Sequence, residues 1–125
     1  MHRILLREVV IDVPADRRQR TEAFWSEALL TRARRVEGHG EFTALEDPAS
    51  LCVVGLQDIG TDAARLHLDI ETDDVEAEVA RLVRLGAVEE ARVRSWVVLR
   101  DPAGLLFCVV PPDSPDFEER SRTVS

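Results

Sequence analysis

The sequence has few cysteines, no long apolar stretch and fewer basic than acidic residues, and each shortage excludes a class of protein. Its two cysteines, Cys52 and Cys108, are too few for a disulfide framework and lack a CxxC spacing, so we expect two buried thiols. No apolar run approaches the roughly 20 residues that cross a bilayer. Arg3, Arg7 and Glu8 interrupt the segment in which a secretory signal would be apolar. We therefore expect a cytoplasmic protein with no membrane partner.

The charge balance argues against nucleic acid as a partner. The chain carries 24 acidic and 16 basic residues, for a formal net charge of −8. An acidic chain needs a segregated basic face to bind a polyanion. Its first arginine cluster, Arg17, Arg18 and Arg20, lies on a predicted helix interleaved with Glu22 and Glu27, which is typical of a solvated face. Motifs of serine hydrolases, zinc peptidases and phosphate-binding loops are also lacking.

What is present is an internal repeat within a chain of single-domain size, 125 residues and 14.0 kDa. The segment Glu8–Asp12 (EVVID) corresponds to His67–Glu71 (HLDIE), and Leu45–Ser50 (LEDPAS) corresponds to Leu99–Gly104 (LRDPAG). One repetition at a period of about 55 residues indicates a duplicated supersecondary module rather than a solenoid.

Each half predicts a strand, a helix and three further strands. The alternation of polar and apolar residues, with turn residues between the runs, places strands near 4–13, 33–37, 41–46, 51–57, 65–71, 88–93, 95–100 and 105–110. We predict one domain over 1–112, with module one at 4–57 and module two at 65–111. The proline-rich, charged segment 113–125 is predicted to be a flexible tail.

The sequence signals for the ends of the two predicted helices differ in clarity. The first, from Asp16 to Leu30, is expected to bury Ala23, Phe24, Ala28 and Leu29. The second has a predicted capping box at Asp73 and Glu76 and ends at Gly86. Its predicted apolar stripe comprises Val75, Val79, Leu82 and Leu85.

The ordered set of these features carries a family resemblance. The βαβββ duplication, LHLDI at the opening of the second half and the DPAG turn before an apolar last strand resemble the glyoxalase/bleomycin-resistance/dioxygenase (vicinal oxygen chelate) superfamily. The string WVVLRDPAGLLFCVV resembles the end of small bacterial glyoxalase-like domains. The resemblance covers residues 4–111 and implies an α+β fold, in which two tandem βαβββ modules form a curved mixed sheet around a cavity.

The resemblance also implies a set of metal-site positions. Metal-dependent members place one ligand on the first and one on the last strand of each module, which corresponds here to Glu8, His67 and Cys108. For the fourth position the repeat favours Val54, whereas the local string LQDI favours Gln57. The ion would be divalent, such as Zn, Fe, Ni or Mn, although Gln is a weak ligand and Val is none.

Strand alternation gives a second route to the site. Glu8 and Asp12 share one face of the first strand, and His67 and Asp69 share one face of its counterpart. Buried polar groups at alternate positions need partners, water or a ligand. The candidate lining residues of the cavity are Glu8, Asp12, Gln57, His67, Asp69 and Cys108.

A tight turn at Asp101–Gly104 would fix the register of the last two strands. It predicts Val97 opposite Cys108 and Leu99 opposite Leu106, all facing the cavity. The opposite face, toward the helices, would then carry Trp96, Val98, Phe107 and Val109.

Three functions remain open at this point, and it is also open whether the protein is an enzyme. The first is a small-molecule-binding protein of a sequestering or resistance type, whose acidic lining suits a cationic or hydroxyl-rich ligand. The alternative is a metal-dependent lyase, isomerase or dioxygenase acting on a substrate with adjacent oxygens. A third hypothesis is a duplicated fold whose partner is another protein, and the resemblance further implies a homodimer.

Overall fold

The computed structural model describes residues 1–28, 31–46 and 53–124, and this part of the chain contains nine strands and three helices. The strands are β1 (His2–Val13), β2 (Arg32–Val36), β3 (His39–Glu46), β4 (Val53–Asp58), β5 (Arg65–Thr72), β6 (Val88–Val93), β7 (Trp96–Arg100), β8 (Leu106–Val110) and β9 (Arg122–Val124). The helices are α1 (Arg18–Ala28), which follows a 3-10 turn, α2 (Val75–Arg84) and α3 (Phe117–Arg120). The predicted α+β class is confirmed, and the order β-α-β-β-β occurs twice, as the repeat predicts.

Two compact units divide these elements. Unit 2 is the continuous segment Glu8–His67, and unit 1 combines Met1–Arg7 with Leu68–Ser125. None of the helices in the described residues is long and apolar enough to cross a membrane.

In unit 2 the strands lie in the order β2-β3-β4-β1, with β1 and β4 parallel and the other pairs antiparallel. The face toward α1 carries Thr43 and Leu56, which are cross-strand partners and are almost fully buried. Phe42 and Ala44 alternate with Thr43 and therefore belong to the opposite face, with their partners Gln57 and Gly55. This second face of the unit 2 sheet carries the candidate site.

The sequence prediction for α1 is wrong about its buried face. Ala23, Phe24 and Ala28 are exposed, with Phe24 61% accessible, and Leu29 lies outside the described residues. The side of α1 toward the sheet instead begins with Arg18, which is buried and donates to Thr43 Oγ1 over 3.1 Å. Arg18 also pairs with Glu22 one turn later, at 3.3 Å. A polar contact therefore stands where the sequence analysis expected an apolar stripe.

In unit 1 the strands lie in the order β5-β8-β7-β6, with β5 and β8 parallel. The core forms where α2 packs on this sheet, and Val79 from the helix contacts buried side chains of β7 and β8. Those side chains are Val97, Leu99, Phe107 and Val109, and partly buried Leu68 and Ile70 of β5 pack against them. Because Leu68 and Ile70 alternate with Asp69 and Glu71, the two acidic residues belong to the face away from α2.

The predicted register of β7 and β8 is wrong by one residue. Cys108 pairs with Val98 rather than Val97, and Val97 pairs with Val109. The connection comprises five residues, 101–105, closed by bonds from Asp101 N to Leu105 O and from Gly104 N to Asp101 O. One extra residue relative to a tight turn shifts the register and exchanges the faces.

The side chains of β7 therefore lie on the faces opposite to those predicted. Val97 and Leu99 belong to the core under α2, whereas Trp96 and Val98 share the opposite face with Cys108. Phe107 and Val109 lie toward α2, as predicted.

Helix α2 begins one residue later than predicted. Its N-cap is Asp74, whose side chain accepts from Ala77 N over 3.0 Å, so Asp73 and Glu76 do not form the predicted capping box. The helix ends before Gly86, where φ is +112° and Ala87 N bonds back to Leu82 O, as in a glycine-terminated C-cap. Leu85 lies beyond the last helical residue, Arg84, and is exposed rather than part of the apolar stripe.

The segment after Pro112, which the sequence predicts to be a flexible tail, forms α3 and β9. Strand β9 pairs antiparallel with the start of β1, with His2 opposite Val124. Phe117 is buried, and the amide groups of Asp113 and Ser114 donate to the Glu71 carboxylate. The predicted turn at Asp47–Ser50 and the thiol of Cys52 lie outside the described residues.

Candidate functional site

Asp12 is the central residue of the candidate site in unit 2. It lies near the end of β1, on the face that Val10 shares, and only 1% of it is accessible. Its Oδ2 accepts from Arg65 Nε at 3.1 Å and lies 3.0 Å from His67 Nδ1. Since an ionised carboxylate can only accept, His67 Nδ1 donates the hydrogen of this bond. Asp12 thus orients the His67 ring.

The second oxygen of Asp12, Oδ1, differs from Oδ2 in its hydrogen bonding. Among the described residues, no hydrogen-bond donor reaches Asp12 Oδ1, although this atom is buried. Arg65 and His67 both engage the other oxygen. A buried acceptor without a donor is uncommon in folded proteins and calls for a bound polar group.

Glu8 lies on the same face of β1, two alternations before Asp12, and is half-buried. Gly55, the partner of Val10 on β4, leaves the space that the Glu8 carboxylate occupies. A Cβ atom at position 55 would lie 2.9 Å from Glu8 Oε2. The absence of a side chain at Gly55 therefore sets where the Glu8 carboxylate can rest.

The register of β1 and β4 shows which of the two candidates for the fourth metal-site position, Gln57 or Val54, shares a strand face with Asp12. Gln57 is the direct partner of Asp12, whereas Val54 is the partner of Val9. Paired residues in adjacent strands share a face, so Gln57 belongs to the face of Asp12 and Glu8. We refer to Glu8, Asp12, Gln57 and His67 as the polar row.

A second group of donor atoms lies along β5 and β8. Asp69 follows His67 by two positions on β5 and is the direct partner of Cys108 on β8. One ligand atom from each of His67, Asp69 and Cys108 lies within 4.8 Å of the others. Cys108 is a half-buried thiol, and the other two residues are buried.

This group differs from the ligand set that the resemblance implies. His67 and Cys108 are common to both sets, whereas Asp69 belongs only to this group and Glu8 and Gln57 only to the set that the resemblance implies. A nitrogen, an oxygen and a sulfur donor at this spacing suit zinc, which takes three protein ligands and leaves one position open in catalytic sites. The hydrogen bond that His67 Nδ1 donates to Asp12 also resembles the carboxylate–histidine contacts that orient metal ligands.

Two residues of these groups were given no such role in the sequence analysis. Arg65 was given no role in the site, and Asp69 was assigned to the cavity but not to a metal. The signal in each case was alternation with His67 on β5, because residues two apart on a strand share a face.

Comparison with known families identifies the chain. A family model described as "Glyoxalase-like domain" matches residues 8–110. The chain belongs to this glyoxalase-like family. No protein with a curated function shows significant sequence similarity to it.

Solved structures show the same fold at low sequence identity. Methylmalonyl-CoA epimerase from Mycobacterium tuberculosis superposes with a TM-score of 0.61 at 17% identity, covering 87% of this chain and 88% of the epimerase. A hypothetical protein from Bacillus halodurans has a TM-score of 0.62 at 13% identity, with coverages of 89% and 96%. A glyoxalase/bleomycin resistance protein/dioxygenase superfamily member from Vibrio splendidus has a TM-score of 0.52 at 12% identity, with coverages of 90% and 100%. These similarities establish the fold of the glyoxalase-like chain. They do not identify its ligand, which has to be inferred from the residues of the site.

Proposed function

We propose that this glyoxalase-like protein binds a small molecule that donates hydrogen bonds, through hydroxyl or ammonium groups, to the polar row. The observation that carries the proposal is the buried Asp12 Oδ1 atom, which receives no donor from the described residues. A ligand hydroxyl or ammonium would supply that donor. Two carboxylates in the row, at Glu8 and Asp12, and the formal charge of −8 favour a neutral or cationic ligand over an anion.

The family resemblance favours one biological form of this activity, which is part of the proposal. We expect a binding protein of the sequestering or resistance type, acting in the cytoplasm as a homodimer. Size-exclusion chromatography with light scattering tests the dimer, and fractionation of the source cells tests the location.

A ligand screen tests the binding proposal. Thermal-shift measurements would compare polyols, hydroxylated amines and carboxylates of similar size, and isothermal titration would give Kd for each compound that stabilises the protein. We expect the compounds bearing hydroxyl or ammonium groups to bind. Asp12→Asn should weaken their binding by about 10- to 100-fold, since a hydrogen bond to a charged group contributes about 1.5–3 kcal/mol.

Asp62→Asn is the matched control for this experiment. Asp62 lies in the same unit and also pairs with Arg65, at 3.7 Å, but it is exposed and makes no contact with His67 among those observed. It changes the net charge by the same amount. Equal losses in the two variants would attribute the effect to charge alone and would refute the role of Asp12.

A second function is favoured by the His67, Asp69 and Cys108 group. These residues would hold a divalent ion, which when bound polarises adjacent substrate oxygens and stabilises an enediolate-like charge. Asp12 would then orient His67. This arrangement corresponds to a metal-dependent lyase, isomerase or dioxygenase.

Elemental analysis of untagged protein purified without chelator distinguishes this second function. Near-stoichiometric Zn, Fe, Ni or Mn that is lost in Cys108→Ser and His67→Ala, but retained in Cys52→Ser, would support it. Protein that remains metal-free after incubation with each ion would exclude the metal-dependent reaction and leave the binding function standing.

A further inference from the structure

The buried carboxylate at the centre of the candidate site already has a cationic partner in unit 2. Arg65 Nε donates to Asp12 Oδ2 over 3.1 Å, so a positive and a negative charge lie side by side. The Asp12 side chain is 1% accessible, and that of Arg65 is 38% accessible. The charge of Asp12 is therefore balanced by Arg65 before a ligand binds, and a ligand does not meet an isolated anion.

Arg65 lies between this buried carboxylate and an exposed one. Its Nη1 atom is 3.7 Å from Oδ2 of Asp62, in the exposed segment before β5. The contact with Asp12 is the shorter of the two, and exposed ion pairs contribute little to holding a side chain in place. Asp12 therefore determines where the guanidinium charge lies.

The second oxygen of Asp12 lies close to this positive charge. Arg65 and His67 both donate to Oδ2, and no donor reaches Oδ1 from the described part of the chain. A ligand group bonded to Oδ1 would lie within about 8 Å of Arg65 Nε, because each would bond one oxygen of the same carboxylate at about 3 Å. This separation does not exceed the Debye length of about 8 Å at physiological ionic strength. Arg65 would therefore repel a cationic group at Oδ1.

Glu8, the other carboxylate of the polar row, lies further along β1. Its Oε2 atom lies where a side chain at position 55 would begin, and Gly55 pairs with Val10 rather than with Asp12. Successive residues on one face of a strand are about 7 Å apart. Since Coulomb attraction falls with distance, Glu8 restores only part of the attraction for a cation at Asp12 Oδ1 that Arg65 cancels.

The neighbour of Asp12 on β4 suits a hydroxyl group. Gln57 is the direct strand partner of Asp12, and its half-buried amide makes no hydrogen bond to the other residues that the structure describes. A hydroxyl can donate to Asp12 Oδ1 and accept from the Gln57 amide, whereas an ammonium can only donate. An ammonium must also lose its hydration shell to reach a buried oxygen, and Arg65 reduces the net attraction that would offset this cost.

We propose, on the basis of the binding function proposed above, that Arg65 makes the polar row selective for neutral ligands that bear hydroxyl groups. Ammonium ligands, which the two carboxylates of the row would otherwise attract, are disfavoured by the guanidinium charge. Arg65 acts through this charge and through its bond to Asp12, so it determines specificity without itself contacting the ligand.

Two pairs of small molecules that differ in one group test this proposal. Glycerol is compared with 3-amino-1,2-propanediol, and cyclohexanol with cyclohexylamine, near neutral pH, where both amines are positively charged. Ligand-observed NMR titration gives Kd, because it detects the weak binding of small probes. We expect each alcohol to bind the unsubstituted protein about 10-fold more tightly than its amine counterpart.

Variants at position 65 separate the effect of charge from that of structure. Arg65→Gln and Arg65→Met remove the charge, so each amine should bind them at least as tightly as its alcohol counterpart. Arg65→Lys keeps the charge and should keep the preference for the alcohols. Arg20→Gln is the matched control, since it removes an exposed positive charge from α1, on the other face of the unit 2 sheet, and should also keep the preference.

The outcomes distinguish this role of Arg65 from the binding function itself. Amines that bind the unsubstituted protein as tightly as the alcohols overturn the role of Arg65, whether or not the uncharged variants fold. An alcohol preference that survives in a folded Arg65→Gln or Arg65→Met protein, as judged by near-ultraviolet circular dichroism, also overturns it. In both cases the binding function stands. Failure of all four compounds to bind would count against the binding function and the selectivity together.

Discussion

Gly55 illustrates how a single position without a side chain shapes the candidate site. Its neighbour across the strands, Val10, is buried, and the space beside them is taken by the end of the Glu8 side chain. The role of this glycine is one of close approach, since its φ does not lie in the left-handed region. A residue without a side chain thus sets the position of a neighbouring carboxylate.

Gly55→Ala should displace the Glu8 carboxylate while changing stability little. The new Cβ would lie 2.9 Å from Glu8 Oε2, which is the mobile end of a flexible side chain, so we expect less than about 1 kcal/mol of change in unfolding free energy. Compounds that bind the polar row should stabilise Gly55→Ala and Glu8→Gln less than the parent in thermal-shift measurements. Gly40→Ala, where a Cβ meets open space, serves as the control. Undiminished ligand stabilisation in Gly55→Ala would show that the Glu8 position does not matter.

Among the secondary-structure elements, α2 is connected to the start of β1 by a buried ion pair. Glu78 is fully buried and lies 2.6 Å from His2 Nε2, and Arg81 donates to both of its oxygens. Burial by itself raises the pKa of the Glu78 carboxyl, but the hydrogen bonds from Arg81 and His2 and their charges outweigh it. The net pKa of Glu78 is therefore lowered from its ordinary value of 4.5.

The lowered pKa predicts how stability depends on pH. Because the folded state holds the proton less tightly than the unfolded state, the contribution of Glu78 is fully present above about pH 4.5 and is lost as pH falls below it. Glu78→Gln should cost about 2 kcal/mol near neutral pH, and this cost should shrink in acid. Urea unfolding between pH 7 and pH 3 measures it. Glu76→Gln, on the exposed side of the same helix, should have little effect, and a pH-independent cost for Glu78→Gln would contradict the assignment.

The elements also show where sequence reasoning succeeds and where it fails. Strand and helix positions follow from local alternation and from turn residues, so β6 and the stop at Gly86 lie where the sequence places them. The faces of β7 and β8 depend on the length of one connection, and a single residue there exchanges Val97 for Val98 beside Cys108. The sequence predicts the existence of helix α1 but not its buried face, because its buried member, Arg18, is held by polar partners and not by an apolar stripe.

The candidate site, too, could be predicted from the sequence only in part. Alternation along the first strand of each module indicates that Asp12 and His67 face inward, and the two residues are hydrogen-bonded. Proximity across strands, such as that of Asp69 to Cys108, depends on register, which periodicity does not encode.

For the molecule as a whole, the described segment after Pro112 packs as part of unit 1. Arg3 lies over the Phe117 ring, 5.5 Å from its centre, and also pairs with Asp73. Arg7 pairs with Asp113, whose amide group donates to buried Glu71. The first and last parts of the described chain therefore share one set of contacts.

Phe117→Ala tests whether these contacts contribute to folding. Loss of a buried phenylalanine side chain should cost about 3 kcal/mol of unfolding free energy. Phe24→Ala, which removes the same atoms from an exposed position of α1, should cost far less. Chemical denaturation of both variants gives the comparison. A cost near zero for Phe117→Ala would agree instead with the flexible tail that the sequence predicts.

The pairing of His2 with Val124 also has a consequence for synthesis on the ribosome. The residues of β1 that pair with β9 leave the exit tunnel well before β9 itself, which lies far later in the chain. At about 5–20 residues per second, the interval between them is on the order of ten seconds. Throughout that time Leu5, buried in the finished protein, lacks the surroundings that unit 1 later provides. Chaperones that recognise apolar nascent segments would therefore bind this chain at β1 during that interval.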